Sequence, residues 1–203
     1  MEGQPEKTTN ARERSQQATR ARILTEAARL FAESGSKSTT TKVIAEAAGV
    51  AVGTIYLHFK DKDGLLKEVL KTALTRLKQE LGKQPTGSLS GPDLVRTKME
   101  ALADFTHRFP HLAAVLFDPA NLGTPAGREA HAFLLKSQEN GLMAGISAGY
   151  YRGDIHSGLV ARAMVGILVE VLGWWGRNPQ AATRSEVIET LVEMRMNGLK
   201  PGV

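Results

Sequence analysis

Residues Thr39–Leu66 read TTTKVIAEAAGVAVGTIYLHFKDKDGLL, and this stretch decides the fold. Val43, Ile44, Ala47 and Ala48 recur at helical spacing. The hydroxyls of Ser38 to Thr41 precede them, and a side-chain oxygen there can accept from an otherwise unpaired backbone N–H. Gly49 supplies the positive φ of a tight turn, and Val50 points back toward a core. A second short helix, Val52 to Phe59, places Ile55 and Phe59 on one face. Its other face carries Thr54, Tyr56 and His58, poor core residues that suit a polyanion. Asp61 or Asp63 is positioned to cap a third helix. The spacing predicts two short helices joined at Ala48-Gly49-Val50 and a longer one after them.

Upstream, Ile23, Leu24, Ala27, Ala28, Leu30 and Phe31 predict a helix over Thr19–Ser34, ended by Gly35. Residues 1–18 are polar and aperiodic and are expected to form a disordered tail. Arg12 and Arg14 could reach a minor groove from it, although a tail without a partner is the simpler reading. Downstream, Leu65, Leu66, Val69, Leu70, Ala73, Leu74, Leu77 and Leu81 sustain a connecting helix to about residue 83, and QPTGSLSGP (84–92) reads as a linker. The remaining apolar periodicities predict helices over Leu94–Phe109, His111–Phe117, Pro125–Tyr151, Ser157–Trp175 and Thr183–Met196. No segment alternates with the period of a strand, so the chain is expected to be all-α. A helical unit spans 19–66 with its connecting helix, and a second spans 84–203.

Charge separates the same two units. Residues 1–83 hold 15 basic and 10 acidic side chains, whereas residues 84–203 hold 11 of each. The excess positive charge therefore lies with the two-helix motif, as a polyanionic partner requires. The chain has 203 residues, 42% of them hydrophobic, and no cysteine, which rules out disulfides and thiolate metal sites. The N-terminus lacks the apolar segment of a secretory signal. The longest apolar run, Met164 to Trp175, is interrupted by Glu170 and falls short of the roughly 18 residues of a membrane span. A soluble cytoplasmic protein is expected.

A helix-turn-helix places its second helix in the major groove of DNA while its first crosses the backbone. Thr40 and Thr41 would bind a phosphate at the start of the first helix, with Lys42 beside them. Ala51 and Gly53 keep the leading end of the second helix slim, and Thr54 could meet a phosphate or a thymine methyl. Tyr56 and His58 would reach the backbone, and Lys62 would supply one more point charge. The hydroxyl pair, the A-G-V turn, G-T-I-Y, the aromatics around His58 and K-D-K-D with two leucines closely resemble the DNA-binding segment of TetR-family transcriptional regulators. The likeness covers about residues 20–70. It implies a three-helix DNA-binding domain, a connecting fourth helix and a C-terminal helical domain for ligand binding and dimerisation. It adds Val52 to the DNA contacts, where an apolar side chain reads a methyl or nothing. No catalytic motif accompanies it, so an enzyme is not expected. No cofactor is implied, and His107 and His111, separated by Pro110, do not form a metal pair.

Ser157–Trp175 is apolar nearly all round, and Thr183–Met196 carries two stripes, Val187/Leu191/Met194 and Ile188/Val192. One stripe is expected to face its own domain and the other a partner, giving a four-helix bundle in a homodimer. Such a dimer would read a palindromic double-stranded operator with half-sites about 34–36 Å apart or a multiple of that. A small hydrophobic or aromatic effector is expected among Met99, Phe105, Leu116, Phe117, His131, Phe133, Leu134, Met143, Met164 and Trp174, although for each of them plain core is the favoured reading over ligand contact.

Overall fold

Capping and apolar periodicity produce nine α-helices and one 3-10 turn, and no strand, among the residues described by the structure, a computed structural model covering 11–83 and 91–199. In order these are α1 (Ala11–Ser34), α2 (Thr41–Ala47), α3 (Val52–His58), α4 (Lys62–Gly82), α5 (Gly91–Arg108), α6 (Pro110–Leu116), the 3-10 turn Pro119–Gly123, α7 (Pro125–Ser147), α8 (Ser157–Arg177) and α9 (Arg184–Leu199). Asp61 is the cap that starts α4, accepting the N–H of Gly64 at 2.7 Å. Phe109 separates α5 from α6, and Pro110 opens α6 at a position where a missing N–H costs nothing.

The first helix begins at Ala11, not Thr19, so residues 11–18 of the expected tail are helical. They are exposed throughout and rich in good helix formers, with Glu13 in the first turn. Apolar periodicity detects only a face that is buried, and this segment buries none. Arg12 and Arg14 consequently sit on a helix and not on an extended arm. Of the expected linker, residues 84–90 lie outside the described residues, while Gly91 and Pro92 open α5.

Helix α7 ends at Ser147, before the expected Tyr151. Gly149 takes φ 75°, its N–H reaches the carbonyl of Ile146, and the N–H of Tyr150 reaches that of Gly145, the paired bonds of a glycine C-terminal cap. The chain then folds back, laying the Tyr151 ring on Gly145 so closely that a Cβ there would overlap it.

Helix α4 is the wall common to both ends of the molecule. Its Leu65, Val69, Leu70 and Leu77 join a continuous core running from Ile23, Phe31, Ile44 and Ile55 to Phe105, Phe117, Leu142 and Leu172. Helix α6 packs on α1 and α4 beneath the N-terminal helices and on α8 above. A buried polar bridge crosses the same junction: Ser36 Oγ donates to Asn121 Oδ1 at 2.8 Å, and Asn121 Nδ2 donates to the Val115 carbonyl.

Both apolar stripes of α9 are buried within this chain, contrary to the expectation that one would face a partner. Val187, Ile188, Leu191 and Val192 are each at most 8% exposed, and only Met194 stays out. Adjacent stripes on a helix form one broad face, and α5 covers it, helped by Arg96 with Glu189 and Arg184 with Asp104. Helix α8 is long and apolar enough by length and composition to cross a membrane, contrary to the expectation that no run reaches that length. Its Ala161, Val165, Leu168, Leu172 and Trp175 are core residues, while Leu159 and Trp174 are exposed.

Candidate nucleic-acid interface and effector cavity

The turn between α2 and α3 is built by its backbone. Gly49 has φ 62°, its N–H reaches the Glu46 carbonyl at 3.1 Å, and the Val50 N–H reaches the Ala45 carbonyl at 3.0 Å. Ile44, Ala45 and Ala48 of the first helix and Ile55 of the second are buried together, so the remaining faces turn outward. Thr40 caps α2 by accepting the Val43 N–H, and Thr41 Oγ1 lies 3.3 Å from the Tyr56 hydroxyl, tying the outer faces of α2 and α3 to each other. Of the DNA candidates, Thr40, Lys42, Ala51, Val52, Gly53 and Tyr56 are exposed on this side, and Thr41, Thr54 and His58 are half-buried.

Lys62 occupies a different position. Its ammonium donates to the carbonyls of Ser36, Lys37 and Thr39 at 2.8, 3.2 and 3.1 Å. The charge is spent on the loop between α1 and α2, which the buried Thr39 also anchors through its hydroxyl to the Leu30 and Gly35 carbonyls. Three outward residues were not expected at this surface: Val43, which shares the apolar spacing of α2 and yet is exposed, and Leu57 and Lys60. Leu57 is 85% exposed, the most open apolar side chain on α3. The signal was present, because Ile55 and Phe59 facing inward force residue 57 outward.

At the other end, a cavity of about 430 Å³ opens between α5, α7, α8 and α9, with Leu81 near the end of α4 in its wall. Met99, Phe133 and Leu134 of the expected lining are there, and Met164 lies in a small adjoining void beside Gln138 and Arg195. Phe105 and Phe117 are sealed in the core, edge to face at 6.2 Å, with Leu116 nearby in the same core. His131 faces a separate small void, its Nδ1 buried without a hydrogen-bond partner. Met143 and Trp174 are exposed and line neither space. A second cavity of about 420 Å³ sits at the junction of α1, α4 and α6, among Leu24, Val69, Phe109 and Leu112.

The cavity's polar residues are the part that sequence reasoning missed. Arg195 of α9 is 7% exposed and donates from Nε to the Tyr151 hydroxyl at 3.0 Å and from Nη1 to Gln138 Oε1. Lys98 of α5 faces the same space. Its ammonium is held below the ordinary lysine range, by burial first and by the charge of Arg195 second. Arg195 continues the buried row Ile188, Leu191, Val192, and a charged residue on an apolar row was the available signal. No cluster of three metal-ligating side chains occurs among the described residues.

Among the described residues the protein is helical, with an exposed helix-turn-helix at one end and a lined cavity at the other, the arrangement of a DNA-binding transcriptional regulator. Residues 23–69 match the pattern of "Bacterial regulatory proteins, tetR family". The chain is 28% identical to the fatty acid metabolism regulator protein of Bacillus subtilis over 185 residues, covering 87% of this chain and 93% of that one. It is 29% identical to the HTH-type transcriptional repressor KstR2 of Rhodococcus jostii over 189 residues, covering 89% and 90%. Its fold matches that of the fatty acid degradation regulator FadR from Bacillus halodurans with a TM-score of 0.73 at 21% identity, covering 88% and 94%. Residues 23–69 thus carry a TetR-family DNA-binding segment, and the relatives that match over most of this chain are named transcriptional regulators and not enzymes.

Proposed function

We propose that this protein is a homodimeric repressor that leaves a palindromic operator when a small molecule fills the cavity between α5, α7, α8 and α9. The observation that carries the reading is the span of α4: Leu81 near one end lines the cavity, and Lys62 at the other grips the loop that presents Thr40 and α2. A ligand that moves the end of α4 acts on the DNA-facing loop through one rigid element, provided it binds the DNA-free arrangement more tightly. Similarity to a protein named a transcriptional repressor supports the direction of control.

In this reading, Thr40, Thr41, Lys42, Thr54, Tyr56 and His58 position the DNA backbone, and Ala51, Val52 and Gly53 meet base edges with Leu57 beside them. Lys62 acts from behind by holding the loop. The dimer forms through α8 and α9, where Leu159, Trp174 and Met194 remain exposed on the single chain. Work on DNA places the protein in the cytoplasm.

The test begins with selection of an operator from random duplex DNA, followed by anisotropy titration. A compound that weakens operator binding by roughly tenfold or more, and that a cavity-filling Leu134→Trp variant ignores, is the expected result. Failure to enrich any sequence overturns the operator reading. Release that persists in the filled variant overturns the cavity as the effector site.

A further inference from the structure

We infer that the cavity recognises an amphipathic carboxylate, with its anionic head between Lys98 and Arg195 and its apolar body along Leu94, Val95, Met99, Leu102, Phe133 and Leu134. The inference rests on the reading of this cavity as the effector site and adds an anionic head to the hydrophobic or aromatic effector expected from the sequence.

Two cations approach one bare patch of α7. A Cβ placed on Gly141 would lie 3.4 Å from Arg195 Nη2 and 3.8 Å from Lys98 Nζ, so both charges come within 4 Å of a single point. Neither has a carboxylate partner among the described residues. Among the described residues Arg195 donates to the neutral Tyr151 and Gln138, and the like charge of Arg195 adds to burial in lowering the pKa of Lys98. Three acidic side chains of the neighbouring helices are engaged elsewhere: Glu189 with Arg96, Asp104 with Arg184, and Glu139 near Arg162. Buried charges in native proteins are paired or bind a partner. Like charges brought together beside an apolar cavity ask for an anion.

The donors also fit a particular head. Arg195 has committed Nε and Nη1 to protein, leaving Nη2 toward Gly141, and Lys98 contributes an ammonium. The Tyr151 hydroxyl accepts from Arg195 and has no acceptor of its own among the described residues, so its proton is available as a third donor. These donors match the two oxygens of a monoanionic carboxylate. The remainder of the wall offers apolar side chains with Ser137 and Asn140, which suits a hydrocarbon body.

Isothermal titration of the full-length protein with dodecanoate and dodecan-1-ol, and with 2-naphthoate and 2-naphthalenemethanol, tests the inference for a flexible and a flat body. At least one carboxylate should bind once per chain and roughly tenfold or more tighter than its alcohol. Lys98→Met should abolish that preference while leaving the alcohol's affinity intact and the melting temperature no lower than before, and Lys98→Arg should retain it. Arg195→Gln should do the same as Lys98→Met if it folds. Because Arg195 is buried and bonded, the outcome is decided by Lys98→Met alone. Equal affinity for acid and alcohol, a preference that survives Lys98→Met, or no binding by any of the four compounds overturns the inference. The operator assay separates the two readings. A preferred carboxylate that leaves DNA bound upholds the anion site and refutes the effector role. Acid and alcohol that release DNA equally do the reverse.

Discussion

In the DNA-facing head, α1–α3 with the start of α4, Lys62 sets its ammonium on three backbone carbonyls, and the hydroxyls of Thr39 and Thr40 are engaged in anchoring and capping. In the body, Lys98 and Arg195 point into a cavity and meet no carboxylate among the described residues. The head uses its inward polar groups to hold one shape and leaves a slim, weakly polar surface to meet DNA, whose own charge supplies most of the attraction. The body leaves charge unbalanced along the cavity proposed to take the ligand. A unit that recognises a common polymer can be preformed, whereas a unit that must respond to a ligand keeps a cost that only the ligand removes.

The largest test of this contrast asks whether the two regions are mechanically separate. Phe31→Ala removes a fully packed ring from the head and should cost about 3–5 kcal/mol. Because α4 and α6 share one core with it, loss of helical ellipticity and the change in the fluorescence of Trp174 and Trp175 should coincide on heating. A head that melts first breaks the picture of α4 as a single transmitting wall.

Lys62→Met should follow. Losing three charge-assisted bonds to carbonyls should lower stability by roughly 1.5–3 kcal/mol while leaving the salt dependence of operator binding unchanged. If Lys62 instead contacts a phosphate, the slope of log K against log salt falls by about 1. Tyr56→Ala should weaken operator binding by roughly tenfold with little effect on melting, since its ring is half-exposed and its hydroxyl partners only Thr41. Equal operator affinity removes Tyr56 from the interface.

The junction offers a pH readout. Glu80 of α4 is held below the ordinary glutamate value, first by the Lys83 hydrogen bond and then by Arg108 of α5. A carboxylate with a depressed native pKa stabilises the fold above its unfolded value of about 4.3, and that contribution fades as pH falls toward the native value. Urea midpoints should therefore drop on acidification below about 4.3, and less so in Glu80→Gln. The smallest effect is expected at Lys98→Met, which removes like-charge repulsion with Arg195 and should raise the melting temperature of the ligand-free protein slightly. A fall would mean that Lys98 has a stabilising partner.

Much of the head was legible because its signals are local. Gly49 requires its positive φ whatever surrounds it, Asp61 reaches an N–H three residues away, and Ile55 and Phe59 share a face by helical period alone. The exposed start of α1 was invisible, because a helix that buries nothing carries no apolar period. Lys62 was legible as a charge and not as a clamp, since its three carbonyls belong to residues 36, 37 and 39.

In the body, sequence alone determined that helices form and roughly where they end, because Pro110 and the apolar rows act over a single turn, although Gly149 ended α7 before the expected Tyr151. Tertiary structure decided which rows meet. It placed both stripes of α9 against α5, folded Tyr151 onto Gly145 and brought Lys98 and Arg195, ninety-seven positions apart, to one glycine of α7. The physical reason is that capping and helical period depend on neighbours within a few residues, whereas an unbalanced charge is a property of everything that surrounds it in space.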